Sequence, residues 1–359
     1  MVTQPAFAKV EDRRLAARKI AIFENFRVLA WDKRTLYAAC GYTLLAAEPE
    51  IEPISWREVA GFRPQLWRSV TSRNSLSSRL FRDGFHALAI HPHGNLIAAL
   101  PGVIATLQAG EKEFCISHRI TRGTRPLHIT GTPDGRIFWG EYFDNSGREE
   151  VHIYVSEDDG FTWHVGHTFP KHSIRHVHNI CYDQWEDCLW ILTGDYGSEC
   201  RILRASLDFS RVDEVLAGNQ QARVVAAILT ASGLFFASDT PLEQNYIYLL
   251  DRQGHVSRIC AIPSSSIYGC QNRDGVFFST MVEPSNINQT KDVHLLGSVG
   301  GDPWNTIATW RKDRFPMKFF QYGNAFLPDG DNHTDLLAVS TIAVEKSDYQ
   351  TSIWRTFRI

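Results

Sequence analysis

Apolar positions along this chain come in short, nearly continuous runs rather than in helical stripes. Seven of them resemble one another: TLYAAC (35–40), NLIAAL (95–100), RIFWGE (136–141), LWILTG (189–194), GLFFAS (233–238), GVFFST (275–280) and DLLAVS (335–340). Each has the length of a buried strand and is too short for a helix. Turn signals precede several of them: HPHG (91–94), TPDG (132–135), NRDG (272–275) and LPDG (327–330). Proline presets φ in such turns and glycine accepts a positive φ. Another strand-like run lies before each turn, as at 85–90 and 224–229, and one or two follow each copy. A repeat of about 40–60 residues carrying four short strands predicts an all-β, seven-bladed β-propeller with four-stranded antiparallel blades. Helical periodicity is confined to residues 9–20. The expected organisation is an N-terminal extension over 1–18 and a single propeller over 19–359. A strand near 19–24 would pair with residues 352–359 and close the ring.

Composition narrows the function. The chain has 359 residues, with 37 Lys and Arg against 40 Asp and Glu, so the net charge is −3. That balance excludes general electrostatic binding of nucleic acid, and 43% hydrophobic residues exclude a disordered chain. No segment approaches the ~18 apolar residues of a membrane span. The first residues are charged and lack an apolar h-region, and the seven cysteines form no CxxC pair. The expectation is a cytoplasmic protein with reduced thiols and no membrane insertion. Ten tryptophans exceed what a core requires and suit stacking on flat ligands, sugars included.

Residues 156–163 read SEDDGFTW, matching the Asp-box pattern S-x-D-x-G-x-T-W, also called the BNR repeat. A degenerate copy lies at 298–304. On these residues the sequence resembles the Asp-box propellers of the sialidase-like superfamily. That resemblance implies a structural role for Asp158, in a turn between the third and fourth strands of a blade, on the face opposite the active site. A sialidase of that superfamily would carry an Arg-Ile-Pro motif; the nearest match here is Phe62-Arg63-Pro64.

If each blade runs A–B–C–D with the Asp-box at C–D on the bottom, the A–B turns share that face and the B–C and D–A loops form the top. His91 and His93 then fall in a bottom turn. The D–A loops are basic: Arg63, Arg68, Arg73, Arg79 and Arg82; Arg119, Arg122 and Arg125; Lys171 and Arg175; Arg311, Lys312, Arg314 and Lys318. One sign of charge on a concave face concentrates anionic ligands, and Arg grips carboxylates bidentately. The long segment 62–83 has the length of a flap.

The richest top-face stretches hold Trp139, Glu141 and Tyr142; Arg175, His176, His178 and Asn179; and Asp195 and Arg201, with Asp239 one blade further on. His176 and His178 lie two apart on a strand and share a face. Three chemistries use this set. In β-elimination from an acidic polysaccharide, Arg175 or Asn179 neutralises the uronate, His178 takes the C5 proton and Tyr142 protonates the leaving oxygen. In glycoside hydrolysis, Glu141 pairs with Asp195. In the third, His86, His128 and His178 bind a divalent metal from neighbouring A strands; no cofactor is otherwise implied. Arg82, Arg125 and Arg201 would bind the anionic ligand and Trp139 would stack on a sugar. The leading expectation is a carbohydrate-active propeller that cleaves an acidic glycan, lyase ahead of hydrolase, in surface-polysaccharide metabolism. The second is a non-catalytic propeller that binds an anionic glycan or a protein partner.

Overall fold

The seven similar runs become the second strands of seven antiparallel sheets: Thr35–Cys40, Leu96–Leu100, Ile137–Gly140, Cys188–Gly194, Gly233–Ser238, Val276–Thr280 and Leu336–Ile342. The computed structural model describes residues 14–359, and in it the sheets are the blades of a seven-bladed β-propeller. Their unbroken apolar character has a simple cause. Successive side chains of a strand point to opposite faces, and a propeller blade is covered on both. In blade 3, Ile137 and Trp139 pack toward Ala87, Ile97 and Ala99 of blade 2. Phe138, between them, packs toward Val177, Ile180 and Ile191 of blade 4. Every neighbouring pair of blades has such an apolar cluster, and each fully buried large side chain contributes roughly 1.5–3 kcal/mol.

Ring closure follows the expected route and begins earlier. Strand Leu15–Glu24 pairs antiparallel with Gln350–Arg358, from Leu15↔Arg358 to Glu24↔Gln350, as the outer strand of blade 7. Residues 15–18 therefore belong to the ring rather than to an extension, and the helical periodicity read over 9–20 gives way to strand over 15–20. Residues 1–13 lie outside the described residues. A second seam contact was not expected. Asp329–Asn332 pairs in parallel with Arg27–Lys33 of blade 1, so the LPDG segment carries the chain across the seam instead of making a tight hairpin.

The connections sort as anticipated, with A–B and C–D turns at one end and B–C and D–A loops at the other. At the bottom end, Asp158 accepts from Ser156 Oγ at 2.9 Å, Thr162 N at 2.8 Å and Thr162 Oγ1 at 2.6 Å. Gly160, at φ +90°, donates its N–H to Ser156 Oγ at 2.9 Å, and Trp163 Nε1 reaches Ser117 Oγ in blade 2. The turn at 298–304 repeats the Gly N–H to Ser Oγ bond at Gly301. A third such turn escaped the sequence reading. Ser206 and Asp208 bond at 2.7 Å between the third and fourth strands of blade 4, but Ser210, Val212 and Asp213 stand where the pattern has Gly, Thr and Trp.

At the top end, segment 62–83 folds into two short helices, α1 (Leu66–Thr71) and α2 (Ser75–Phe81). Asn74 caps α2 by accepting from Leu76 N and Ser77 N. Arg79 pins the hairpin: fully buried, it bonds Asp313 at 2.6 Å, Asp348 at 3.0 Å and the Phe320 carbonyl. Among the described residues no helix is long and apolar enough to cross a membrane.

Asp158→Ala removes three hydrogen bonds from the bottom turn. We expect a loss of about 1–2 kcal/mol in urea unfolding, with the seven-bladed fold retained by circular dichroism.

Candidate functional site on the top face

Two groups of polar side chains meet at this end. The first spans blades 3 to 5. His176 opens the A strand of blade 4 (His176–Asp183), which slips register between Val177 and Asn179. Such a bulge re-aims side chains. His176 Nε2 and His178 Nε2 stand 3.1 Å apart, and Asp195 Oδ1, just past the B strand, lies 3.1 Å from His178 and 3.4 Å from His176. Both imidazoles are buried. His176 Nδ1 donates to the Phe143 carbonyl at 3.0 Å and His178 Nδ1 to the Val224 carbonyl at 2.9 Å. The Tyr142 ring lies 4.2 Å from His176 and 6.2 Å from His178, centroid to centroid. Its hydroxyl makes no hydrogen bond among the described residues, and burial, with Asp195 and Asp239 adding to it, pushes its pKa up to about 12. Tyr142 is thus a protonated phenol at the edge of the cluster.

Charged groups extend the cluster sideways. Arg175 bonds Asp195 Oδ2 at 3.0 Å and Asp144 at 2.7 Å. Arg223 lies between Asp195, at 3.7 Å, and Asp239, at 3.6 Å. Glu283 follows, held by Ser265 Oγ at 2.7 Å. Burial raises the Asp195 carboxyl, whereas an N–H or positive charge on the imidazoles beside it would hold its pKa well below the usual range. Asp239 goes the other way, to about 8: burial lifts it, Arg223 opposes, and Glu283 and Asp195 add repulsion.

Several expected members lie elsewhere. Glu141 and Tyr142 are consecutive, so they face opposite sides of the blade. Glu141 turns toward blade 2, where Arg122 grips both its oxygens and His152 N donates to it at 2.8 Å. It is not available to pair with Asp195. Trp139 is 2% exposed and stacked on Tyr154 at 4.3 Å, so it is core rather than a sugar platform. Asn179 ties blade 4 to the Val225 carbonyl of blade 5. Arg201 braces the Ser198 and Ser173 carbonyls. The three histidines expected to share a metal are apart in their bonding. Arg27 donates to His86 Nδ1 at 3.2 Å, and His128 meets Asp329 at 3.1 Å. His178 is held by Val224 and Asp195. His91 and His93 sit in the bottom turn as expected.

The second group lines a cavity of about 590 Å³ beneath the helical hairpin. Its cations are Arg27, Arg63, Arg73, Arg82, Lys112 and Arg125, and its acids are Glu58, Asp83 and Glu113. Asp83 and Glu113 are taken by Arg68 and Arg63. Arg27, Arg82 and Arg125 have no carboxylate partner among the described residues. Among the described residues Arg125 Nη1 donates to the Arg82 carbonyl alone, at 2.8 Å. Burial, then repulsion from Arg27 and Arg82, pushes its pKa down to about 9. Phe26, Tyr42, Phe62, Phe85 and Phe326 add aromatic surface. Arg82 and Arg125 were legible as members of the basic loops. Arg27 was not, because it lies at the start of an A strand rather than in a basic loop; it reaches across to His86, just before the A strand of the next blade.

No family model matches the chain, and no curated protein matches it. Among solved structures, a chain of a crystal structure of the mitotic checkpoint complex superposes with a TM-score of 0.58. It is 12% identical, and the match covers 99% of this chain and 98% of that one. At that identity the likeness concerns the fold alone.

Two substitutions test the imidazole cluster. A Cβ on Gly194 would stand 2.5 Å from His178 Cε1, so Gly194→Ala should displace that ring, and the His178 imidazole resonances should shift in NMR. The second is Asp239→Asn. An acid whose folded pKa is raised holds its proton in the folded state after the unfolded chain has lost it, so stability falls as pH rises above the ordinary carboxylate range toward about 8. Arg223, Glu283, Asp195 and Ser265 face this group. Asp239→Asn should flatten that decline, with a Tm gain over wild type that grows from pH 4 to pH 8.

Proposed function

We propose that the protein binds an acidic saccharide on its top face, with the saccharide's carboxylate held in the arginine-lined cavity. The observation that carries this reading is the trio Arg27, Arg82 and Arg125, three guanidinium groups lacking a carboxylate partner in one cavity. Like charges held together and partly out of water are unfavourable until an anion joins them. Guanidinium geometry suits a planar carboxylate. The aromatic walls suit the apolar faces of sugar rings. A volume of about 590 Å³ falls within the range of small-ligand sites. The Asp-box resemblance points to the same ligand class.

Cleavage of the bound glycan is a second reading, favoured by the free Tyr142 hydroxyl beside the imidazole–carboxylate cluster. Elimination retains its phenolic acid in this geometry, whereas hydrolysis loses Glu141 to Arg122. His178 is poorly placed as the base, because it is buried and its Nε2 faces His176 and Asp195 rather than open space.

Binding is tested by calorimetry with uronate and sialylated oligosaccharides and with neutral ones of the same length. Acidic oligosaccharides should bind, neutral ones should not, and Arg125→Met with Arg27→Met should weaken binding at least tenfold, about 1.4 kcal/mol. Equal affinity for neutral and acidic sugars, or indifference to both substitutions, would remove the proposal. Ultraviolet absorbance of unsaturated uronate, followed for wild type and Tyr142→Phe, tests the cleavage reading separately.

A further inference from the structure

We infer that His176 Nε2, His178 Nε2 and Asp195 Oδ1 form a binding site for one divalent transition-metal ion. The inference goes beyond the saccharide reading and does not depend on it.

The hydrogen bonds on the far side of each ring carry the argument. Both Nδ1 atoms face backbone carbonyls, Phe143 for His176 and Val224 for His178. A carbonyl only accepts, so each Nδ1 carries the proton. A neutral imidazole has one N–H, so each Nε2 presents a lone pair. Those lone pairs point at one another across 3.1 Å and at a carboxylate oxygen 3.1 and 3.4 Å away. Three acceptors converging with no donor among them repel one another, and a cation at their centre converts the repulsion into ligation.

The spacing fits. Ligand atoms about 2.0–2.1 Å from an ion lie about 3.0 Å apart at a right angle and about 3.4 Å apart at the tetrahedral angle. The three observed separations span that interval. The surroundings also match what metal ligands need. A ligating histidine usually donates its other N–H to a carbonyl or carboxylate, and both do so here. Arg175 orients the carboxylate from Oδ2, and Gln220 Nε2 fixes the Asp195 carbonyl at 3.2 Å. Asp144, Asp195 and Glu283 oppose only Arg175 and Arg223 here, with Asp239 held protonated at neutral pH, an excess of acid that suits a divalent cation. Two imidazoles and one carboxylate leave open positions on the ion, and the Tyr142 ring beside His176 places a phenol near them.

The bottom-face group His91, His93 and Asp159 has the same residue types but fails the same criterion. His91 Nδ1 accepts from His93 N at 3.1 Å, so His91 Nε2 carries the proton and gives it to the Gly135 carbonyl at 2.9 Å.

The test uses the full chain, stripped with chelator and titrated with Co²⁺ by calorimetry and visible absorbance, then with Zn²⁺ in competition. One Co²⁺ per chain should bind, with absorption bands of a nitrogen- and oxygen-ligated ion, and Zn²⁺ should displace it. His176→Ala and Asp195→Asn should each weaken binding at least ~100-fold, and His91→Ala should leave it unchanged. Circular dichroism checks that the variants fold. Should one fail to fold, the Tm of stripped wild type must still rise on adding Zn²⁺. Absence of Co²⁺ binding at about 1 mM, or binding that survives both top-face substitutions, would overturn the inference. In that case a shared proton, with one ring an imidazolium, holds the three atoms together. No saccharide enters this measurement, so its failure leaves the binding proposal standing, and the converse also holds.

Discussion

Everything at the top face depends on a ring that must close. Seven blades that bury both faces of their strands are stable only if the first and last also have neighbours. Strand Leu15–Glu24 supplies the missing outer strand of the last blade, and Leu15 itself is buried in the cluster between blades 6 and 7. The parallel pairing of Asp329–Asn332 with Arg27–Lys33 adds a second contact at the seam. Both contacts bear on the cavity, because Phe326, Thr341 and Tyr349 of the last blade line it together with Arg27 of the first.

The two polar groups owe their character to opposite charge errors. Around the cavity, guanidinium groups gather without enough acid. Around His176 and His178, carboxylates and lone pairs gather without enough positive charge. In water neither arrangement would persist, but a rigid propeller rim fixes side chains where an anion at one group and a cation at the other would neutralise them. The rest of the rim shows what ordinary balance looks like. Arg68 with Asp83, Arg122 with Glu141, and Arg148 with Glu199 are satisfied pairs.

The fold was legible because the repeat lies in local sequence: short apolar runs after proline–glycine turns. The face assignment was legible for the same reason, and it placed His91 and His93 at the bottom correctly. The site was legible in part. Tyr142, His176, His178 and Asp195 were brought together by counting strands from a recognisable turn. Glu141 and Trp139 were misplaced because the alternation rule, applied to the two histidines, was not applied to these neighbours. Ile137, Trp139 and Glu141 share one face, and Phe138 and Tyr142 look to the other. The His86, His128 and His178 trio failed for a different reason. Equivalent positions on successive A strands do not bring these three ligand atoms to one point, and each imidazole finds its own local partner. Arg27 sits at the head of a strand, outside the basic loops, and the second seam strand depends on a contact between the two ends of the chain.

The buried Arg79 gives the cavity a temporal property. Its guanidinium joins the hairpin roof to Asp313, the Phe320 carbonyl and Asp348. Lifting the roof means separating a buried cation from two carboxylates, which is far costlier than parting an exposed pair. A ligand that needed the roof raised would therefore enter and leave slowly, at a rate set by that three-way junction rather than by the residues lining the cavity.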